Sequence, residues 1–74
     1  MTRLPQLSAR KLIQALEKAG FVLQRQRGSH YQMKHPITQL RTLVPVHGKD
    51  INRPLLKLIL KQAELSEDEF RKLL

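Results

Sequence analysis

At 74 residues the chain has room for one small domain, since chains of this size bury only about 60% of the surface they expose when unfolded. It contains no cysteine, which excludes disulfides and thiolate zinc sites as staples and fits a reducing compartment. Fourteen Lys plus Arg against six Asp plus Glu leave a formal charge of +8, a field that draws polyanions and says nothing about the fold.

The opening stretch MTRLPQLSARK lacks the apolar run of a signal peptide, and no segment is long and apolar enough to span a bilayer. The expectation is a soluble, cytoplasmic protein with no membrane partner. Only Glu17 and Asp50 are acidic before Glu64, so the body of the domain is the strongly cationic part. A polyanionic partner explains that density better than solubility alone.

The first element is a helix over about Ala9 to Ala19. Ser8 is its N-cap, and Leu7 and Leu12 stand at the positions of a hydrophobic staple. Leu12, Ile13, Leu16 and Ala19 form the apolar stripe. Gly20 stands where a left-handed residue ends a helix, and Phe21 is placed to fold back on Leu16.

Three segments of period two follow, interrupted at RQRGS and HPIT. Phe21 and Leu23 alternate with Val22 and Gln24; Tyr31 and Met33 alternate with His30, Gln32 and Lys34; Leu40, Thr42 and Val44 alternate with Arg41 and Leu43. The pattern predicts a three-stranded antiparallel meander, with Pro36 and Pro45 at strand ends or edges and the third strand stopping near Val44.

Asn52 then caps a second helix with Pro54 in its first turn and an apolar face of Leu55, Leu56, Ile59, Leu60 and Ala63. Arg53, Lys57 and Lys61 recur every fourth residue as one stripe away from the core. Ser66 with Glu69 forms a capping box, and Leu65 and Phe70 a staple, for a short last helix whose acids suit its N-terminal dipole. The whole is a single α+β domain: a small two-layer α-β-β-β-α arrangement, with a three-stranded sheet covered by two helices and a short C-terminal helix.

The chemistry-bearing residues are few. No Ser/His/Asp spacing, phosphate-cradling glycine loop or carboxylate pair is present, and His30 and His35 fall on opposite strand faces, so neither a metal site nor a cofactor is expected. If Tyr31 and Met33 face the helices, His30, Gln32 and Lys34 face the open side, where they can join Gln24 and Arg41. An imidazole on a face of amides and cations suits binding a phosphodiester and moving a proton. An ordinary exposed strand residue has the same spacing, and both readings of His30 stand. His35 closes its strand, and His47 belongs to a polar turn before the second helix. Gly28 and Ser29 are explained by a turn, although a glycine there also admits a phosphate close to the backbone. Arg53, Lys57 and Lys61 read as a solvated face or, starting at a helix N-terminus, as contacts to RNA phosphates.

GFVLQRQRGSHYQMKHP, VPVHGKD and LKLILKQAELSEDEF resemble, in order and spacing, the HicA toxins of bacterial type II toxin-antitoxin pairs, over nearly the whole chain from Ser8 to Phe70. The resemblance implies a double-stranded-RNA-binding-like fold, an mRNA interferase activity independent of the ribosome, and inhibition by a HicB-like antitoxin that covers the active site. The family's catalytic histidine lies in its Gly-Ser-His segment, which is His30 here. Many members carry a second histidine where this chain has Tyr31, and a phenol is a poor base at neutral pH. Glu64 stands where members often carry a helix-ending glycine.

The reading that results is a metal-independent endoribonuclease acting on mRNA. His30 is its catalytic group, and Arg27, Gly28, Ser29, Lys34, Arg41, Arg53, Lys57 and Lys61 contact RNA. The alternatives are a non-catalytic RNA-binding module and a protein-interaction domain of the same fold.

Overall fold

The computed structural model describes residues 6–46 and 50–74; His47, and with it the turn expected there, lies outside the described residues. The elements run α1 (Ala9–Lys18), β1 (Val22–Arg27), β2 (His30–Lys34), β3 (Arg41–Pro45), α2 (Arg53–Gln62) and α3 (Glu67–Leu73). The three strands form one antiparallel sheet in the order β1-β2-β3, as expected for a meander.

Helix boundaries follow local chemistry. The Ser8 hydroxyl accepts from the Lys11 amide, the Asn52 side chain from the Leu55 amide at 2.9 Å, and Ser66 and Glu69 make the reciprocal capping box. Helix α1 ends in a Schellman motif: with Gly20 at φ +102°, the Gly20 amide donates to Glu17 and the Phe21 amide to Leu16 at 2.9 Å. Helix α2 ends in the same way, with the Leu65 amide donating to Leu60 at 2.9 Å, but the left-handed position is held by Glu64 at φ +55°. A residue with a Cβ there carries strain that a glycine would not.

The core joins Leu7, Leu12, Leu16, Phe21, Met33, Val44, Ile51, Leu56, Ile59, Leu60 and Phe70 from every layer. Two details depart from the simple helical stripe. Ala9 and Ala15 are buried on α1 whereas Ile13 and Ala19 are only half-buried; α1 also packs against α3, where Ala15 lies near Leu73. Lys18 Nζ reinforces that contact by donating to the Leu73 carbonyl at 3.2 Å. Helices α1 and α2 pack against β3, while all six residues of β1 are exposed, so the helical layer does not extend over the first strand. Among the described residues no helix is long and apolar enough to cross a membrane.

Strand β1 continues through Arg27, past the point where its alternation fails in the sequence. The ladder pairs Leu23 with Met33 and then Arg25 with Gln32, skipping Gln24, which is a β-bulge. Strand β3 runs one residue beyond Val44, to Pro45, which as the last residue of an edge strand needs no amide donor.

Candidate nucleic-acid interface

Directly paired residues of an antiparallel sheet share a face. Met33 and Val44 are fully buried, so their face is the helix-covered one and His30, Gln32 and Lys34 turn to the other side. Cross-strand pairing then arranges the open face in three rows. Arg27, His30 and Pro45 form the first; Arg25, Gln32 and Leu43 the second; Val22, Lys34 and Arg41 the third.

The first row is set by a two-residue hairpin loop. Gly28 has φ +58° while Ser29 stays on the ordinary side, the signature of a type II′ turn with glycine at its first central position. A Cβ added to Gly28 would meet nothing within 4 Å, so the requirement is conformational and not steric. Ser29 is exposed, and its carbonyl accepts from the Val46 amide at 2.6 Å, which ties the hairpin to the end of β3. The turn thereby holds His30 directly opposite Arg27.

Arg25, Arg27, His30, Gln32 and Leu43 line a hollow of about 260 Å³ on this face. A second hollow, of about 250 Å³, shares Gln32 and Leu43 and adds Arg41, Thr42 and Gln62. The Thr42 hydroxyl, buried at the edge of β3, donates to Gln62 Oε1 at 2.8 Å and so docks the end of α2 beside the sheet. No carboxylate lines either hollow. An exposed imidazole flanked by guanidinium and amide groups can hold an anion and exchange a proton. Among the described residues no three His, Cys, Asp or Glu side chains come together as metal ligands.

The expected contact residues do not all meet. Arg27, Lys34 and Arg41 share the open face with His30, and Gly28 and Ser29 adjoin it through the turn. Arg53 is exposed at the start of α2, whereas Lys57 and Lys61 line a separate hollow with Leu60, Leu65, Ser66 and Glu67. The stripe on α2 is therefore solvent-exposed but not gathered around His30. Gln24, expected beside His30, does not line the hollow; the bulge brings Arg25 there in its place. Strict alternation from Leu23 would have turned Arg25 to the covered face, so no periodicity in the sequence could have found it.

Tyr31 pairs with Gln26 and with the buried Val44 and is half-buried on the covered side, away from the hollow. His35 serves the fold. Its Nδ1 accepts from the Ile37 and Thr38 amides at 3.2 Å each, and its ring meets Phe21 edge-on at 5.3 Å. With Nδ1 accepting, the neutral ring carries its proton on Nε2.

A family model for the HicA toxin of bacterial toxin-antitoxin systems matches residues 9–65. No curated protein shows a significant match to the chain.

Proposed function

The chain belongs to the HicA family of toxins from bacterial toxin-antitoxin systems, and from that premise we propose that it is a metal-independent endoribonuclease that cleaves mRNA and is neutralised by a HicB-like antitoxin. The observation that carries the proposal is the exposed His30 in a hollow with Arg25 and Arg27 and without a carboxylate.

The reaction is a transesterification within the RNA. His30 accepts the proton of a 2′-hydroxyl as that oxygen attacks the adjacent phosphorus. The bond from phosphorus to the 5′-oxygen of the next nucleotide breaks, and the leaving oxygen takes a proton back from the imidazolium. The products are a 2′,3′-cyclic phosphate and a free 5′-hydroxyl, and His30 ends in its starting state. Positioned proton transfer of this kind contributes about 10²- to 10⁴-fold in rate. Arg27, opposite His30, donates charge-assisted hydrogen bonds to the phosphoryl oxygens as negative charge grows on them. Lys34 and Arg41, two rows along, hold the flanking backbone. The stripe of Arg53, Lys57 and Lys61 adds long-range attraction from α2.

The same surface supports the proposed partner. A cationic face that attracts RNA also attracts an acidic protein, and an antitoxin seated over His30 would displace the substrate. The test of the chemistry is end-group analysis of RNA incubated with the protein in EDTA. Cyclic phosphate and 5′-hydroxyl ends are expected. Ends of 5′-phosphate and 3′-hydroxyl would contradict the mechanism, and bound but intact RNA would leave a binding module in place of an enzyme.

A further inference from the structure

The open face carries its charge in rows, and the middle row depends on one residue. The first row has Arg27 and His30, and the third has Lys34 and Arg41. Between them, about 7 Å from each along the strands, Gln32 and Leu43 carry no charge. Arg25 is the only cation of that row, and it is there because the ladder skips Gln24.

The bulge changes the parity of the strand. Before it, Leu23 pairs with the buried Met33 on the covered side; after it, Arg25 and Arg27 pair with Gln32 and His30 on the open side. A regular strand would have kept both arginines in phase with Leu23. One extra residue thus transfers two guanidinium groups to the face of the candidate catalytic group, and both line its hollow.

We infer that Arg25 is a substrate-contact residue that holds the RNA phosphate next to the one being cleaved, making the cationic path from Arg27 to Lys34 and Arg41 continuous. The inference deepens the proposed ribonuclease reading and rests on it for the identity of the ligand as RNA. Arg25 is fully on the exposed side of the domain, and β1 has no helix over it, so the guanidinium is accessible without any rearrangement. Apart from the His30 imidazole the path has no aromatic ring among the described residues: no Phe or Tyr lines either hollow or stands in the three rows. With no Phe or Tyr platform for successive bases, phosphate contacts carry the larger share of positioning the strand.

The test compares Arg25→Gln with Arg25→Lys and with Lys72→Gln, which removes the same charge from the exposed end of α3. Cleavage is measured in the otherwise unaltered protein. Binding to an unstructured RNA across a salt series is measured separately in a His30→Ala background, so that the Arg25 readout does not depend on catalysis. Arg25→Gln is expected to lose about tenfold or more in kcat/KM and to make the slope of log affinity against log salt shallower by about 1, with circular dichroism unchanged. Lys72→Gln should alter neither, and Arg25→Lys should recover part of the loss, because a point charge replaces a planar fork. Equal behaviour of Arg25→Gln and Lys72→Gln in both assays would overturn the inference. Absence of cleavage by the parent protein alongside a changed salt slope in Arg25→Gln would sink the enzyme reading and leave the phosphate contact standing.

Discussion

Replacing Glu64 by glycine should stabilise the protein, against the usual direction for a mutation to glycine. Glu64 occupies the left-handed position after α2 at φ +55°, where its amide donates to Lys61 and the next amide donates to Leu60. A non-glycine residue in that region costs roughly 1–2 kcal/mol, while glycine brings an entropic penalty of roughly 0.5–1 kcal/mol. The carboxylate also sits at a helix C-terminus, where negative charge is unfavourable by a few tenths of a kcal/mol at an exposed site, on the order of 0.3. The net gain is about 0.5–1.5 kcal/mol, and for a domain of this size that raises Tm by roughly 2–12 °C. Thermal unfolding followed by circular dichroism at neutral pH reads it directly. Glu64→Ala removes the charge and keeps the Cβ, so it separates the two contributions and should gain much less. If Glu64→Gly melts at or below the parent temperature, or if Glu64→Ala gains as much, the backbone argument is wrong.

Gly20 and Gly28, the two glycines at positive φ among the described residues, should respond differently to alanine. Gly20→Ala combines a left-handed backbone at φ +102° with a Cβ placed 2.6 Å from His35 Nε2, so a loss of about 2–4 kcal/mol in urea unfolding is expected, whereas Gly28→Ala, with open space around it, should lose only about 1–2 kcal/mol. Equal losses at the two sites would contradict the contact with His35. Glu69 has its carboxyl held below the ordinary 4.5 by the Ser66 amide and hydroxyl, so its contribution is present above that value and disappears as pH falls through the folded-state value. Glu69→Gln should therefore lower Tm at neutral pH, with the difference from the parent closing at pH values below 4.5; a difference that persists in acid would point to another cause. RNA binding should weaken steeply with salt, since neutralised phosphates release counterions, and a flat response would contradict phosphate contact.

The helix ends were legible because capping is local: Ser8, Asn52, the Ser66 and Glu69 pair, and Gly20 each act within one turn of where they stand. The face that carries His30, Gln32 and Lys34 was legible for a similar reason, since the buried Met33 fixes the parity of its own strand. Arg25 was not, because a bulge is a property of hydrogen-bond register between two strands, and in the sequence the alternation only lapses at RQR without showing that the strand continues in the opposite phase. The burial of Ala15 goes with its place near Leu73, where α3 packs against α1, and the separation of Lys57 and Lys61 from His30 depends on where α2 docks, through Thr42 and Gln62, against β3. Contacts of that range are decided by the assembled fold. Glu64 shows the converse: its position after Ala63 marks a helix end, but its side chain gives no sign of the left-handed backbone it must adopt.

The central claim is that His30 makes this protein a ribonuclease that needs no metal, and the direct measurement is cleavage of a long unstructured RNA in EDTA by the parent protein and by His30→Ala. His30 is exposed and outside the core, so the variant should keep the parent's circular dichroism and melting temperature. The account predicts cleavage by the parent and a loss of about 10²-fold or more in the variant, with RNA still bound. Cleavage that stops on chelation, or that survives in the folded variant, would contradict it.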